Sequence, residues 1–223
     1  MIVFDLDGTL IDSSRDLAEA ASQLVQELGG VPLSEAEVID MVGEGAAVLV
    51  KRALVRVGLD PATPGALERF LTIYDTRLLD HTVAYDGMHE VLSLLVQASP
   101  LAVLTNKPLA PSEAILQHLG LRGFFSTVVG GDSTFGRKPD PGGLRFLMAA
   151  TPGGSVMVGD SPVDANTAAS AGCPFVLAAY GFGVGKFEGR VPHGARVAHH
   201  PRELVSMADT RTFDAARMPI VMR

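Results

Sequence analysis

Polar side chains that could carry out chemistry collect where apolar, strand-like runs of the sequence end. These are Asp5, Asp7, Thr105, Asn106, Asp160 and Asp164, and Lys138 joins them from a loop just before a helix. Ligands of open parallel sheets bind at the carboxyl ends of the strands, so we expect these side chains to converge there. Mg²⁺ takes carboxylate, phosphate and water oxygens as ligands. A carboxylate can attack phosphorus, and a nearby carboxyl group can protonate the leaving alcohol and later activate water. The set therefore predicts metal-assisted phosphoryl transfer.

Each of these residues also has a structural interpretation. Asp5 is the hardest to explain in that way, because an unpaired charge inside an apolar strand is costly. The structural alternatives for the others are a turn (Asp7), a cap of a turn (Thr105 and Asn106), a solvated loop cation (Lys138), a helix N-cap (Asp160) and a charge that complements a helix dipole (Asp164).

The elements that would position these residues alternate between strands and helices. Apolar runs predict strands at 2–6, 101–104, 127–129, 155–158 and 175–178, with helices at 89–97, 111–119 and up to Ala171. Another helix is expected to be capped by Asp140, with Pro141 at its first position. Such alternation predicts an α/β fold whose Rossmann-like parallel sheet is covered on both faces.

The region between the first two strands has a helical pattern throughout. Four helices are predicted, at 16–28, from Ser34 with Glu37 as its capping-box partner, at 46–57 and at 64–79, with no strand among them. We therefore expect a core made of residues 1–11 and 87–210, a helical cap at 12–86, and a tail of uncertain structure at 211–223. The glycine-rich segment 181–185 lacks the following helix and acid of a dinucleotide loop, and is expected to be a mobile loop near the site.

The composition of the chain limits the classes of partner that are expected. The chain has 223 residues, 47% of them hydrophobic and 19% charged, with a formal net charge of −7. Nucleic acid and anionic membranes favour clustered Lys and Arg, so neither is expected as a partner. Cys173 is the single cysteine, which excludes an intrachain disulfide and favours a packing role. No signal peptide pattern or apolar span is present, so a cytoplasmic protein is the simplest interpretation.

Four short motifs resemble those of the haloacid dehalogenase superfamily of phosphatases, in the same order. They are Asp5-Leu6-Asp7-Gly8-Thr9-Leu10, Leu104-Thr105-Asn106, Lys138-Pro139 and Gly159-Asp160-Ser161-Pro162-Val163-Asp164. The helical insertion is similar to the superfamily's first type of cap. Within the superfamily, the segments FDLDGTLIDSSRD, VGEGAAVLVKRAL, TNKP and GGDSTFGRKP most resemble phosphoglycolate phosphatases.

The resemblance implies a role for each motif residue. Asp5 would be the nucleophile and a Mg²⁺ ligand, Asp7 the general acid/base and a ligand through its carbonyl, and Asp160 the third ligand. Thr105, Asn106 and Lys138 would hold the phosphoryl oxygens, and Asp164 would support Lys138 or the metal. In the cap, Gly43-Glu44-Gly45 would meet the substrate, although a plain break between helices is the alternative. Lys51 and Arg52 could meet a substrate carboxylate, but a solvated helix face is the favoured interpretation of both.

The expected activity is Mg²⁺-dependent hydrolysis of a small phosphorylated metabolite, such as 2-phosphoglycolate, through an aspartyl-phosphate. A phosphomutase or a pyrophosphatase of the same superfamily is an alternative, as is a binding protein that kept the fold without catalysis. A dehalogenase would not need Asp7 or Asp160, which weighs against that class. The sequence leaves a monomer and a homodimer equally open.

Overall fold

The computed structural model describes residues 1–151 and 154–207. The strands of this part of the chain are β1 (Ile2–Phe4), β2 (Ile11–Asp12), β3 (Val83–Ala84), β4 (Leu101–Leu104), β5 (Phe125–Val129), β6 (Val156–Gly159), β7 (Phe175–Ala178) and β8 (Arg196–Ala198). Its α-helices are α1 (Ser14–Glu27), α2 (Glu35–Ile39), α3 (Ala46–Arg56), α4 (Ala66–Asp75), α5 (Met88–Leu95), α6 (Leu109–His118), α7 (Gly142–Ala149), α8 (Pro162–Ala171) and α9 (Leu204–Met207).

Six strands form one parallel sheet in the order β5-β4-β1-β6-β7-β8. Phe4 of the central strand β1 is in register with Val103 of β4 on one side and Val158 of β6 on the other. From β1 the chain first adds β4 and β5 on one side, and then crosses to add β6 and β7 on the other. This change of direction makes the carboxyl end of β1 the switch point, where a ligand crevice is expected. The predicted Rossmann-like α/β class is confirmed.

Alternate residues of β1 pack into two different apolar clusters. Ile2 and Phe4 belong to the apolar cluster on one face of the sheet, whereas Val3 belongs to the cluster on the other face. This is the alternation that a strand buried on both faces must have. Cys173 is buried in the second cluster, as its packing role predicts.

Helices α1 to α4 enclose a third apolar cluster, which extends from Leu17 to Tyr74. The capping box of α2 is present, because the Ser34 hydroxyl accepts from the Glu37 N–H and Glu37 in turn accepts from the Ser34 N–H. The predicted boundaries at 11/12 and 86/87 stay a prediction. None of the helices in the described part of the chain is both long and apolar enough to cross a membrane.

Several predicted details were wrong. The fourth helix begins at Ala66 and ends at Asp75, so it is shorter at both ends than 64–79. Pro141 is the N-cap of α7 rather than its first residue, and Asp140 accepts from the Gly142 N–H at 2.8 Å. The 3₁₀ helix at 182–187 was not predicted, and the expected mobility of this glycine-rich segment stays a prediction. The small antiparallel pair β2–β3 was not predicted, and the predicted tail lies outside the described residues.

Candidate active site

Three of the predicted site residues immediately follow neighbouring strands of the sheet. Asp5 follows β1, Thr105 follows β4 and Asp160 follows β6, so the register of the sheet places all three at one edge. The Asp5 N–H donates to Val158 O at 2.9 Å, which continues the β1–β6 pairing up to the acid itself. All three side chains are buried. The predicted convergence at the switch point therefore holds for these residues.

Buried carboxylates cluster around one lysine. Oxygens of Asp5, Asp160 and Asp164 all lie within 4.8 Å of one another. Lys138 Nζ lies 2.6 Å from Asp5 Oδ1 and 2.6 Å from Asp164 Oδ1. Burial would lower the pKa of Lys138, but the two carboxylates outweigh that effect and raise it. Lys138 is therefore charged and neutralises part of the cluster.

The cluster has more negative charge than this one lysine can balance. Burial, followed by repulsion from Asp164, raises the pKa of Asp5 to about 7. Burial also raises the pKa of Asp160 well above its ordinary value, with further repulsion from Asp164 and Asp5. A hard cation would relieve this repulsion, since it takes oxygen ligands. These residues therefore fit a divalent metal.

The acids of the cluster differ in how many hydrogen-bond donors already occupy their oxygens, and so in how well they could bind a metal. Asp164 accepts from Lys138 with Oδ1 and from the Ser161 N–H and hydroxyl with Oδ2, at 2.6, 3.1 and 2.6 Å. Through these contacts Asp164 holds Lys138 and the start of α8 in position. Asp5 and Asp160 are better placed as ligands because fewer donors occupy their oxygens.

Glycines allow the backbone to close tightly around Asp160. Gly8 has a φ of +87°, and a Cβ there would come within 2.0 Å of Asp160 Oδ2. A Cβ on Gly181 would lie 2.1 Å from Gly8 O. The N–H of Gly183 donates to Asp160 Oδ2 at 2.6 Å. The glycine-rich segment thus lies near the site, as expected, but it contributes an ordered donor to a predicted metal ligand.

The side chain of Asp7 points away from this cluster. Its Oδ1 accepts from the Ser13 hydroxyl at 2.5 Å and lies 3.0 Å from Lys107 Nζ. The carboxyl group therefore lies beside Ser13, directly before α1, and beside Lys107. Its predicted roles as general acid/base and as a metal ligand through its carbonyl stay predictions.

Asn106 joins the core to the cap. Its Nδ2 donates to Gly43 O and to Lys138 O, each at 2.9 Å, while its buried Oδ1 has no partner among the described residues. The amide is thus engaged by two backbone carbonyls, and its predicted contact with phosphoryl oxygens stays a prediction. Thr105 Oγ1 accepts from the Lys107 N–H at 3.1 Å.

The predicted cap loop meets the core through its glycines. Gly43 and Gly45 line a small cavity between cap and core, and Gly45 packs against Asn106 and Arg137. Glu44 does not line that cavity and is instead paired with Arg52. Lys51 and Arg52 are both exposed. Of the cap residues proposed from the sequence, the structure brings the two glycines to the site.

The cavity has a volume of about 70 Å³. On the core side it is lined by Asp5, Asp7 and Thr105, and on the cap side by apolar groups that include Leu49 and Phe70. A wall of this kind would exclude water from a bound substrate. The volume suits a substrate of few atoms.

Lys107 was not among the site residues predicted from the sequence. This lysine lines the cavity and is buried, with its Nζ 3.0 Å from Asp7 Oδ1 and 2.8 Å from Tyr74 Oη. Burial would lower the pKa of Lys107, but Asp7 and Tyr74 raise it, so the side chain is charged. The sequence signal was its place in the TNKP segment, directly after two predicted site residues.

Buried acids at the switch point of a parallel sheet, under an inserted set of helices, define an α/β protein with a capped candidate active site. Residues 2–178 match the family model described as haloacid dehalogenase-like hydrolase, and the chain belongs to that family.

Similar proteins cover most of the chain. A phosphoglycolate phosphatase of Rhodospirillum rubrum is 42% identical over 192 residues, which are 81% of this chain and 80% of that protein. One from Cereibacter sphaeroides is 37% identical over 204 residues, covering 89% and 93%. The crystal structure of a predicted phosphoglycolate phosphatase from Haemophilus somnus has a TM-score of 0.83 and 30% identity, over 92% of this chain and 96% of that one. The predicted superfamily, its likeness to phosphoglycolate phosphatases and the status of an enzyme, a hydrolase, are confirmed.

Proposed function

We propose that this protein is a Mg²⁺-dependent phosphatase that hydrolyses 2-phosphoglycolate through a phosphorylated Asp5. The observation that carries the proposal is the buried Asp5 carboxylate, which ends the central strand beside Lys138 and lines the cavity between core and cap. The relatives named above support the choice of substrate, and the small cavity is consistent with it.

The side chains divide the reaction between them. An Asp5 carboxylate oxygen attacks phosphorus, and the bond from phosphorus to the ester oxygen breaks as Asp7 gives that oxygen a proton. A water molecule then attacks the aspartyl-phosphate and loses a proton to Asp7, which releases inorganic phosphate and restores Asp5. Lys138 balances the charge of Asp5 throughout, and Thr105, which lines the cavity, would hold a phosphoryl oxygen.

Asp5, Asp160 and the backbone carbonyl of Asp7 would hold Mg²⁺ in this proposal. When bound, the metal supplies positive charge to the phosphoryl oxygens in addition to that of Lys138. Asp164 keeps Lys138 in position between the acids through the contact at 2.6 Å.

The test is phosphate release from 2-phosphoglycolate with Mg²⁺, compared between the wild type and Asp5→Asn. We expect stoichiometric phosphate from the wild type and none from the variant, because the amide cannot attack phosphorus. Circular dichroism would establish that the variant is folded. A folded Asp5→Asn protein that retains more than a trace of activity, or substrate loss without matching phosphate, would contradict the proposal. The second outcome would indicate a phosphomutase.

A further inference from the structure

A buried ammonium and a buried phenol lie side by side on the wall of the cavity. Lys107 follows β4 in the core, whereas Tyr74 belongs to α4 of the helical insertion. Lys107 Nζ donates to Tyr74 Oη at 2.8 Å and lies 4.7 Å from the centre of the Tyr74 ring. The exposed fractions of the two residues are 8% and 4%. The pair is thus assembled where cap and core meet.

Each member of the pair has one polar hydrogen without an acceptor among the described residues. An ammonium has three N–H donors, and among the described residues Lys107 uses two of them, on Asp7 and Tyr74. Tyr74 Oη accepts from Lys107, and within the described chain its own O–H donates to no residue. One N–H and one O–H, on atoms 2.8 Å apart, therefore lack an acceptor. Buried donors without acceptors are costly, so a ligand that accepts from both would be stabilised.

The two donors suit the two oxygens of a carboxylate. Charge-assisted hydrogen bonds of this kind are roughly twice as strong as neutral ones. Among the described residues that line the cavity, Lys107 is the single cation, and Lys138 is already paired with two acids. The other charged groups of the lining are Asp5, Asp7 and the exposed Asp75, none of which would attract an anion.

The position of the pair also limits the length of the substrate. Lys107 contacts the carboxylate of Asp7, which in the proposed reaction gives its proton to the ester oxygen. A carboxylate held by Lys107 therefore lies close to that oxygen, as it does when one carbon separates the two groups.

We propose that Lys107 and Tyr74 bind the carboxylate of the substrate and make the site selective for short phosphomonoesters that carry an acid. The inference rests on the proposed function and assigns its specificity to a core lysine and a cap tyrosine. Because the two residues come from different parts of the chain, a bound carboxylate would also hold the helical insertion against the core.

The test compares 2-phosphoglycolate with 2-hydroxyethyl phosphate, in which an alcohol replaces the carboxylate. The readout is the ratio of kcat/KM for the two esters, in which any effect common to both cancels. We expect the wild type to prefer 2-phosphoglycolate and Lys107→Met to reduce the ratio by about 30-fold, chiefly through KM. Tyr74→Phe, which keeps the ring, should reduce it by about fivefold. The matched control is Lys51→Met, which removes an exposed cap lysine and should leave the ratio unchanged.

An equal loss for both esters in Lys107→Met would overturn the proposal, since Lys107 would then act through Asp7 alone. A reduced ratio in Lys51→Met would overturn it as well, because the carboxylate would then be bound at the cap surface. Melting temperatures separate these results from misfolding, and Tyr74→Phe provides the second variant if Lys107→Met is unstable.

Calorimetry separates this inference from the proposed function. In the Asp5→Asn background, with Mg²⁺ present, Lys107→Met should weaken the binding of 2-phosphoglycolate by about tenfold or more. That loss would support the carboxylate site even if the wild type hydrolysed neither ester. Unchanged binding would overturn it even if the wild type were an active phosphatase.

Discussion

At the scale of single residues, the acids that follow β1 differ in what they contact. Asp5 lies in the cluster with Lys138, whereas the Asp7 carboxyl, two residues later, contacts Ser13 and Lys107. Gly8, directly after Asp7, packs against the Asp160 carboxylate. In the proposed reaction, this one short segment supplies both the nucleophile, Asp5, and the acid for the leaving group, Asp7.

This separation predicts different defects in two variants. Asp7→Asn should lower kcat by about 10²- to 10⁴-fold at saturating Mg²⁺, because the amide cannot transfer the proton while its backbone carbonyl is unchanged. Asp160→Asn should instead raise the Mg²⁺ concentration needed for half-maximal activity, so that excess Mg²⁺ partly restores turnover. Titration of both variants with Mg²⁺ measures the difference. Superimposable titrations would show that the roles are misassigned.

Residues differ in how well the sequence could predict them. Asp5 can be recognised from its own segment, because a charge inside an apolar run is costly and indicates a function. Lys107 cannot be recognised in this way, since a lysine before Pro108 in a turn has the pattern of a solvated cation. Its buried Nζ contacts Tyr74, which is 33 positions away in α4. A local pattern does not contain that contact.

At the scale of elements, the segment before α3 is where the cap meets the core. Gly45 is the N-cap of α3 and has a φ of +89°, a conformation that favours glycine. A Cβ at this position would lie 3.4 Å from Asn106 O and 3.5 Å from Arg137 Nη1. Gly43 O accepts from Asn106 at 2.9 Å, and Lys186 donates to Val42 O. Three polar core side chains thus surround the loop.

Gly45→Val should therefore change substrate use more than chemistry. We expect KM for 2-phosphoglycolate to rise by about tenfold, or roughly 1.4 kcal/mol of binding, because the added bulk displaces the loop from Asn106. A small aryl phosphate with few cap contacts should be affected far less. Steady-state kinetics on both substrates measures the contrast.

The matched control is Gly58→Val. Gly58 also has a positive φ, of +75°, but a Cβ there would meet no atom within 4 Å. Gly58→Val therefore introduces the same kind of backbone strain without adding a contact with the core. If Gly45→Val and Gly58→Val shift KM equally, strain in the cap rather than the loop contact is responsible. Equal losses for both substrates in Gly45→Val would assign the loop to cap closure instead of recognition.

Strands whose residues are all buried were predictable, and strands of two residues were not. The apolar runs of β4 and β7 coincide with the predicted strands because every residue in them is buried. β2 and β3 have two residues each, too few for any periodicity, and their pairing depends on contact between positions 11 and 84. At α7, an acid before a proline has the pattern of an N-cap, but the Pro141 backbone starts the helix one residue later.

At the scale of the whole molecule, the chain passes between core and helical insertion twice, and both passages lie side by side. β2 leads out and β3 leads back, with Ile11 opposite Ala84. Next to this pair, Asp16 in the first turn of α1 accepts from the returning segment. Its carboxylate receives the His81 N–H at 3.0 Å, and the Thr82 N–H and hydroxyl at 2.8 and 2.7 Å.

Asp16→Ala should therefore destabilise the whole protein. The residue is fully buried, and its loss leaves two backbone N–H groups and a hydroxyl without their acceptor. We expect the free energy of unfolding to fall by about 2 to 4 kcal/mol, since each buried unsatisfied donor costs about 1 to 3 kcal/mol. Asp16→Asn keeps one acceptor oxygen and should lie between Ala and the wild type. Urea denaturation measures all three proteins.

The control for this last variant is Asp60→Ala. Asp60 also accepts a backbone N–H, from Ala62 at 2.8 Å, but in an exposed turn where water can replace the lost acceptor. We expect it to cost less than about 1 kcal/mol. If Asp16→Ala costs no more than Asp60→Ala, the buried contacts do not tie the two passages together. A large loss confined to Asp16→Ala, accompanied by lower kcat/KM for every ester, would show that correct attachment of the insertion is needed both for the fold and for the closed cavity.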